Sequence, residues 1–287
     1  MARTLEPYQL VERSIITKYR KVLWNPFIEA VKRYEMIQPG DRIAVCISGG
    51  KDSMLLAKLM QQLQKHSDFP FELVFLVMDP GYNELNRRKI ESNAALLNIP
   101  VTIFESDIFE VADSAGKSPC YLCARMRRGY LYSRAQELGC SKIALGHHFN
   151  DVVETTLISM FYGSQLQAML PKLHSTNFKG MTLIRPLYCV HEDDIIAWAR
   201  DNSLEFIQCA CRLTERSTAD TGDVNVSKRK EIKLLLRRLR QGNPNIEKSI
   251  FNSIHAVALD TMPGFKTGGV EHSFLERFDA MQSAKDE

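Results

Sequence analysis

Short apolar runs alternate along this chain with longer stretches in which apolar and polar residues recur at helical spacing. Five apolar runs predict β-strands, at residues 42–47, 71–78, 101–104, 142–145 and 181–184. The intervening stretches predict helices, at residues 52–65, 83–97, 119–138, 150–161 and 192–200. Because mostly apolar strands that alternate with helices are covered on both faces, the pattern predicts an α/β fold with a doubly wound, mainly parallel sheet. Ligands of such sheets bind at the carboxyl ends of the strands.

The two ends of the chain depart from this alternation. Residues 8–36 have helical spacing until Pro39 and Gly40 interrupt it. Beyond the last strand, two more helices are predicted, at residues 227–240 and 245–258. We therefore expect a helical N-terminal extension at 1–40, an α/β domain at 41–211 and a helical, basic C-terminal region at 212–287.

The composition narrows the class of protein. Hydrophobic residues make up 45% and charged residues 25% of the 287 residues, as in an ordinary globular protein. No apolar run approaches the roughly 20 residues needed to cross a membrane, and the polar N-terminus lacks the apolar segment of a secretory signal. The seven cysteines do not form the dense framework of a disulfide-rich domain. We therefore expect a cytoplasmic protein without membrane association, whose thiols are reduced or bound to metal.

A glycine-containing loop follows the first predicted strand and leads directly into a helix. Its residues are Ser48, Gly49, Gly50, Lys51, Asp52 and Ser53. The glycines let the backbone approach a phosphate closely, and the amides at a helix N-terminus favour an anion. Lys51 adds a positive charge, and Asp52 supplies a carboxylate for Mg²⁺. The loop is shorter than the glycine–lysine loop of the common nucleoside triphosphatases.

Other predicted strands also end in residues suited to a site. Met78 ends the second strand, the fourth is followed by Gly146, His147 and His148, and Asp151 begins the next helix. Since the carboxyl ends of parallel strands share one edge of a sheet, we expect these residues to face the glycine loop. The histidine pair indicates a role in the site, and Asp151 is the second candidate for a catalytic or magnesium-binding carboxylate.

Four cysteines form two pairs that suit soft metals. Cys120 and Cys123 lie at the start of a predicted helix, where the helix N-terminus favours thiolates. Cys209 and Cys211 follow an apolar, strand-like segment at 204–207. Such cysteines suit zinc, an iron–sulfur cluster or a redox disulfide, although the second Cys-x-x-Cys pair of a zinc ribbon is missing. The other cysteines have apolar neighbours and are predicted to be buried: Cys46, Cys140 and Cys189.

Two predicted helices carry positive charge with few acids. Arg127 and Arg128 lie in the helix that begins near Cys120. The helix predicted at 227–240 carries a dense basic set, which includes Lys228, Arg229, Lys230, Lys233 and Arg237. Because charge runs of one sign favour a phosphate backbone, both helices are predicted to contact RNA. Arg127 and Arg128 have the alternative role of anchoring the nucleotide near the active site.

The order of these motifs resembles that of a known enzyme family. The loop Ser48–Ser53 is similar to the PP-loop of the ATP pyrophosphatase superfamily. Together with Cys120-x-x-Cys123, Arg127-Arg128-Gly129 and Gly146-His147-His148-x-x-Asp151, it makes residues 20–265 resemble the tRNA 2-thiocytidine synthetase family. The resemblance implies an adenine nucleotide alpha hydrolase-like, Rossmann-like domain at 41–211. It also implies that Met78, Gly146 and His147 bind ATP together with the loop.

The resemblance further implies a reaction and its cofactors. ATP with Mg²⁺ would activate C2 of an anticodon-loop cytidine with release of pyrophosphate, and sulfur carried on a [4Fe-4S] cluster would replace the C2 oxygen. Cys120, Cys123 and Cys209 would hold the cluster and leave one iron open. Cys211 is the alternative third ligand, because the family has two residues between the cysteines of this region where this chain has one. The implied partners are tRNA and a sulfur donor such as a cysteine desulfurase, and a homodimer is left open.

Three other functions remain compatible with these motifs. A lysidine synthetase shares the loop and the His-His-Asp segment but needs no cysteine ligands. Another PP-loop thiolase would act on uridine or on a small molecule. A sensor that holds ATP and an iron–sulfur cluster without turnover belongs to a different class.

Overall fold

The computed structural model describes residues 5–106, 108, 119–207, 228–276 and 278, and for residues 119–124 only the backbone. Within this part of the chain, none of the helices combines the length and the apolar character needed to cross a membrane. The chain divides into two compact units, Met1–Lys233 and Leu234–Glu287.

One six-stranded sheet forms the centre of the first unit. Its strands are β1 (Arg42–Ile47), β2 (Glu72–Asp79), β3 (Val101–Glu105), β4 (Lys142–Ala144), β5 (Lys172–His174) and β6 (Thr182–Ile184). The strand order is β3-β2-β1-β4-β6-β5, and every neighbouring pair is parallel except β5 with β6. The predicted α/β fold with a mainly parallel sheet is confirmed. The short antiparallel strand β5 was not predicted.

The helices of the first unit lie mostly where apolar periodicity predicts them. They are α1 (Pro7–Ile16), α2 (Asn25–Arg33), α3 (Lys51–His66), α4 (Glu84–Leu96), α5 (Pro119–Glu137), α6 (Phe149–Gly163) and α7 (Glu192–Asp201). An eighth, α8 (Lys228–Gly242), continues into the second unit. The predicted bounds of α3 to α8 agree with the observed bounds to within two residues.

The chain reverses its direction of winding between β1 and β4. Strands β1, β2 and β3 follow one another towards one edge of the sheet, whereas β4 and β6 lie on the other side of β1. β1 and β4 are direct neighbours, with Ala44 opposite Ile143 and Val45 opposite Ala144. At such a switch point the segments that follow the two strands diverge and leave a crevice at the carboxyl edge. The loops that begin at Ser48 and Gly146 border this crevice.

Helix α3, which carries the end of the glycine loop, is held by burial and by one buried lysine. Its apolar face is fully buried. Lys58 is also fully buried, and its ammonium lies 2.8 Å from Glu12 Oε1 and 2.8 Å from the Leu97 carbonyl oxygen. Because a buried ammonium without partners would be costly, these contacts tie α1 and the end of α4 to α3. The start of α3 therefore has a defined position relative to the sheet.

The N-terminal region is helical but is not one continuous helix. A π-helical segment, Arg20–Trp24, separates α1 from α2. The prediction of one helix over residues 8–36 was wrong in this respect. Apolar spacing reports which face is buried, but it does not register a local change in helical pitch.

The second unit contains a β-hairpin in addition to helices. Helix α9 (Ile246–Ser253) is followed by a 3-10 turn at Leu259–Thr261 and by strands β7 (Gly264–Thr267) and β8 (Val270–Ser273). The hairpin turn is Gly268-Gly269, whose φ angles of +58° and +83° suit a tight turn between antiparallel strands. The sequence pattern predicted only helices in this region.

The segment that precedes Cys209 also differs from its prediction. Residues 204–207 do not form a strand. Their backbone is held instead by a side chain, since Asn93 Nδ2 donates to the Glu205 carbonyl oxygen at 2.8 Å. Cys209 and Cys211 lie outside the described residues.

Candidate active site

Hydrogen bonds of the Ser53 hydroxyl hold the loop between β1 and α3 in its conformation. Ser53 Oγ accepts from the Ser48 backbone N–H at 3.1 Å and donates to the Gly50 carbonyl oxygen at 2.9 Å. Gly50 is the N-cap of α3 and offers no side chain to its first amides. These amides are therefore available to bind an anion at the positive end of the helix.

At two positions of the site, neighbouring atoms leave little room for any side chain larger than that of glycine. Gly49 has a φ of +85°, and a Cβ there would lie 2.6 Å from side-chain carbons of both Ile90 and Ile207. A Cβ at Gly146 would lie 3.1 Å from the Ser53 backbone nitrogen and 3.2 Å from the Asp52 carbonyl carbon. The loop after β4 thus approaches the first turn of α3, as expected from the strand ends.

His148 and Asp151 fix each other at the start of α6. The Asp151 backbone N–H donates to His148 Nδ1 at 3.4 Å, and Asp151 Oδ2 accepts from the His148 backbone N–H at 3.1 Å. This reciprocal capping box defines where the helix begins. Since Nδ1 accepts, the neutral ring carries its proton on Nε2, which points towards the site.

Three carboxylates surround this ring nitrogen. His148 Nε2 lies 3.5 Å from Asp151 Oδ2, 3.9 Å from Asp52 Oδ1 and 3.9 Å from Glu192 Oε1. The two predicted acids, Asp52 and Asp151, therefore both lie within 3.9 Å of the same ring nitrogen, although they are 99 positions apart in the sequence. Mg²⁺ in nucleotide sites takes one or two carboxylates together with substrate phosphates, so the two aspartates fit this ion. No group of three or more His, Cys, Asp and Glu side chains in the described residues forms a complete metal site by itself.

Glu192 is a site residue that the motifs did not identify. It is the first residue of α7, and its backbone N–H donates to Asn150 Oδ1 at 2.9 Å. Its Oε1 lies 3.1 Å from Lys51 Nζ. Burial raises the pKa of Glu192, but Lys51, Lys233 and His148 outweigh it and lower this pKa to about 2. Glu192 therefore stays ionised and holds the loop lysine.

Two basic residues in the first turns of α8 form ion pairs with the acids of the site. Both residues were predicted to contact RNA. Arg229 Nη1 lies 2.7 Å from Asp151 Oδ1 and 3.2 Å from Glu154 Oε2. Lys233 Nζ lies 3.0 Å from Glu192 Oε2 and 3.6 Å from Glu154 Oε1. The sequence separation of 78 residues between Arg229 and Asp151 explains why no local pattern indicated this contact.

Glu154 is the most deeply buried acid of the site. Its side chain is 2% exposed. Burial raises its pKa to about 7, against the lowering effect of Lys233 and Arg229. Glu154 is therefore partly protonated near neutral pH, unlike Glu192.

His147 directly precedes His148 in the same loop. Burial lowers its pKa to about 4, and the charge of Arg185 acts in the same direction. The pKa of Arg185 itself is lowered to about 10, by burial and by the nearby Arg128. Arg185 directly follows β6, so its place at a strand end was the signal that could have indicated it. In the described residues His147 Nδ1 is buried without a hydrogen-bond partner, so this neutral ring has polar capacity left for a ligand.

Comparison with known proteins identifies the family. A PP-loop domain model matches residues 17–215. The tRNA-cytidine(32) 2-sulfurtransferase of Geobacter metallireducens is 35% identical over 241 residues, which cover 83% of this chain and 90% of the relative. The chain belongs to the tRNA-cytidine(32) 2-sulfurtransferase family. The family predicted from the motifs is thereby confirmed.

One further relative belongs to the same family, and one solved structure has a similar fold. The tRNA-cytidine(32) 2-sulfurtransferase of Alkalilimnicola ehrlichii is 38% identical over 234 residues, or 79% of this chain and 70% of that one. The U34-tRNA thiolase NcsA from Methanococcus maripaludis, solved with its [4Fe-4S] cluster, has a TM-score of 0.63 and covers 84% of this chain. Its alignment spans 80% of that thiolase at 19% identity, so this likeness concerns the fold.

The end of β2 has a structural role in this member of the sulfurtransferase family. Met78 is buried in a hydrophobic core cluster that also contains Cys46 and Leu76. Asp79 accepts from the backbone N–H groups of Gly81 at 2.9 Å and Tyr82 at 2.7 Å, and it pairs with Arg87 at 2.6 Å. The Asp79 side chain thus shapes the turn, and the prediction that Met78 contacts ATP remains a prediction.

The cysteines of this sulfurtransferase-family chain fall into two groups. Cys120 and Cys123 lie within the first turns of α5, whose described part here is the backbone. Cys46 and Cys140 are buried as predicted, while Cys189 is partly buried, and all three are free thiols. Burial raises the pKa of Cys46 and of Cys189 to about 12, which makes these thiols unreactive.

The remaining basic residues lie along α5 and α8. Arg128 is exposed, Arg127 is half-buried, and Lys228 Nζ lies 4.8 Å from the centre of the Tyr162 ring. Lys230 and Arg237 are exposed on α8. Arg229 and Lys233 are thus the members of the predicted RNA-binding set that reach the acids of the crevice.

Proposed function

We propose that this chain is an ATP-dependent tRNA sulfurtransferase that converts cytidine 32 into 2-thiocytidine. The observation that carries the proposal is the meeting of Asp52 and Asp151 at the β1–β4 switch point, beside the free amides of α3. That arrangement suits a magnesium nucleotide. The names of the relatives supply the substrate class, a cytidine of tRNA.

The residues of the crevice have distinct proposed roles. The loop Ser48–Ser53 and the first amides of α3 bind the β and γ phosphates, and Lys51 supplies a positive charge. Asp52 and Asp151 bind Mg²⁺. Met78, Gly146 and His147 bind the adenosine part of ATP. The neutral His147 ring suits this position because it adds no charge next to the base.

The activation step forms one bond and breaks another. The C2 oxygen of cytosine attacks the α-phosphorus, and pyrophosphate leaves with the electrons of the broken P–O bond. The loop amides and Lys51 stabilise the charge that develops on the leaving group. A sulfide-level sulfur then attacks C2 and forms the C2–S bond, and AMP leaves with the oxygen and the electrons of the broken C2–O bond. The protein contributes mainly orientation and fixed charge.

The cysteine set fits an iron–sulfur cluster. Thiolates are the usual ligands of such clusters, and Cys120 and Cys123 lie at a helix N-terminus, which favours the thiolate form. We propose Cys120, Cys123 and Cys209 as ligands, with Cys211 as the alternative third. When bound, the cluster supplies an iron that carries the sulfur. The same fold accommodates a [4Fe-4S] cluster in the U34-tRNA thiolase.

The proposal also covers the tRNA contacts, the domain organisation, the cellular location and the sulfur donor. Arg127, Arg128, Lys228, Lys230 and Arg237 contact tRNA phosphates. Residues 41–211 form the catalytic domain, with residues 1–40 and 212–287 as additions. The protein works in the cytoplasm, where thiols stay reduced, and takes its sulfur from a donor such as a cysteine desulfurase.

Three measurements on one anaerobic preparation test this function. Iron and sulfide analysis, tRNA-dependent release of pyrophosphate, and mass spectrometry of nucleosides from the treated tRNA should all be positive. A protein that is active without iron would be a lysidine synthetase or a related enzyme. A protein with iron but no tRNA-dependent pyrophosphate would be a sensor.

Cysteine variants test the ligand set. Cys123→Ala should lose iron, whereas Cys140→Ala, which removes a buried thiol of the sheet, should keep it. Cys209→Ser and Cys211→Ser are then compared in the same assay. Loss of iron in Cys209→Ser alone supports the proposed set, and loss in Cys211→Ser alone assigns the third ligand to Cys211. Full iron in the double variant would show that the third ligand lies elsewhere.

A further inference from the structure

Two basic residues of α8 form ion pairs with the acidic side chains of the crevice. Arg229 and Lys233 lie one helical turn apart, and together they contact three carboxylates from α6 and α7: Asp151, Glu154 and Glu192. The exposed fractions of these acid side chains are 17%, 2% and 22%, against 44% for Arg229 and 35% for Lys233. We call this set of five residues the latch.

The two oxygens of Asp151 are both in use. Oδ2 accepts from the His148 backbone N–H at 3.1 Å and belongs to the cap of α6. Oδ1 accepts from Arg229 Nη1 at 2.7 Å. A metal ion at Oδ2 would compete with the cap of α6, whereas a metal ion at Oδ1 would compete with Arg229 alone. Mg²⁺ at Oδ1 competes with Arg229 for this oxygen, because the two cations bind the same atom and repel each other.

The exchange is favourable only when another cation replaces the arginine. Removing a partner from a largely buried carboxylate is costly. Mg²⁺ brought in with ATP supplies that replacement charge. The displaced Arg229 lies on a basic helix whose neighbours Lys228 and Lys230 are proposed to contact tRNA phosphates, and a guanidinium suits a phosphate as well as a carboxylate.

We propose that magnesium nucleotide opens the latch by displacing Arg229 from Asp151, and that the freed Arg229 then binds the tRNA backbone. This inference rests on the proposed assignment of Asp151 to Mg²⁺. It deepens the proposed function by making nucleotide loading and tRNA binding strengthen each other. Since coupling is reciprocal, tRNA bound at Arg229 also raises the affinity of Asp151 for Mg²⁺.

The first test measures Mg²⁺ without turnover. Binding of the non-hydrolysable α,β-methylene-ATP is followed by calorimetry at a series of Mg²⁺ concentrations. Arg229→Gln removes the competitor, so half-saturation should need about two- to fivefold less Mg²⁺, as for the loss of a partly exposed ion pair. Arg238→Gln is the matched control. It removes the same charge from an exposed position of α8 that has no carboxylate partner in the described residues.

The sign of the effect decides between the latch and a direct phosphate contact. If Arg229 holds ATP phosphates instead, Arg229→Gln needs more Mg²⁺ or binds the analogue more weakly, and the latch is refuted. An unchanged Mg²⁺ requirement refutes it as well. If Arg229→Gln does not fold, Arg229→Lys replaces it. Its shorter, single-headed cation should shift the requirement in the same direction by a smaller factor.

The second test measures tRNA binding at constant Mg²⁺ with and without the analogue. In the wild type the analogue should tighten tRNA binding by about two- to fivefold, and in Arg229→Gln it should have no effect. A wild type whose tRNA affinity does not change with the analogue would overturn the coupling. A wild type that binds no tRNA at all would overturn the proposed function instead, and the Mg²⁺ measurement would still decide whether Arg229 competes for Asp151.

Discussion

Lys51 Nζ lies 3.1 Å from Glu192 Oε1 and thereby connects the loop after β1 to the helix that follows the β6 strand. The same ammonium lies 3.2 Å from Asp52 Oδ1. Burial lowers the pKa of Lys51, but these two carboxylates outweigh it and raise the pKa above its ordinary value. The lysine is therefore charged and positioned before a nucleotide arrives, which reduces the ordering that binding requires.

We expect Glu192→Gln to weaken ATP binding more than it slows turnover. Glutamine keeps the size of the side chain but removes the charge that positions Lys51. The KM for ATP should rise roughly tenfold, the scale of one lost charged hydrogen bond, with kcat changed much less. Steady-state kinetics with saturating tRNA measure the two constants separately.

Glu84→Gln is the matched control for this change. Glu84 is also the first residue of a helix, α4, but its side chain is 76% exposed. Glu84→Gln should therefore leave both the KM for ATP and kcat unchanged. An equal loss of kcat and no change in KM for Glu192→Gln would contradict the positioning role.

We expect Gly49→Ala to destabilise the fold more than Gly180→Ala. Both glycines have a left-handed backbone, with φ of +85° and +80°, but only Gly49 has neighbours that a Cβ would meet, at 2.6 Å. In the control, Gly180→Ala, the free energy of unfolding should fall by about 1–2 kcal/mol because of backbone strain. Gly49→Ala should lose about 1–3 kcal/mol more, because Ile90 and Ile207 must move. Urea unfolding of both variants measures the difference, and equal losses would show that the loop relaxes without cost.

We expect Gly146→Ala to weaken nucleotide binding. The added methyl group would press on the backbone of Asp52 and Ser53, at 3.1–3.3 Å, and shift the first amides of α3. The dissociation constant of α,β-methylene-ATP should rise about tenfold, which corresponds to about 1.4 kcal/mol. Gly163→Ala, where a Cβ meets nothing within 4 Å, is the control. Unaltered affinity in Gly146→Ala would mean that the two loops do not need this close approach.

We expect Glu154 to make stability fall as pH rises from about 4.5 to about 7. Its pKa in the folded state is raised from 4.5 to about 7 by burial, against Lys233 and Arg229. In this window the folded protein holds a proton that the unfolded chain has released, so the free energy of unfolding decreases with pH. Glu154→Gln removes this contribution. Urea midpoints measured across the window should therefore fall less steeply in the variant, whereas parallel curves would show that the folded-state pKa is not raised.

Local patterns in the chain were sufficient for much of the fold. Apolar runs and helical spacing indicated β1 to β4, β6 and the helices that follow them, because strands covered on both faces are mostly apolar and each covering helix buries one apolar face. The glycine loop and the Gly146–Asp151 segment were recognisable because a phosphate site needs particular residues in consecutive positions. Parallel strands share a carboxyl edge, so the meeting of these two segments could also be foreseen.

Other features depend on contacts between distant residues. Strand β5 has one apolar residue, Leu173, between Lys172 and His174, so it forms no apolar run, and it is defined by its antiparallel pairing with β6. The contacts of Arg229 and Lys233 with the acids of α6 and α7 join residues that lie far apart in the sequence. A basic helix has the same local pattern whether its charges meet tRNA or buried carboxylates. Only the packing of α8 against the crevice selects between these partners, because charge pairing depends on distance in space and not on position along the chain.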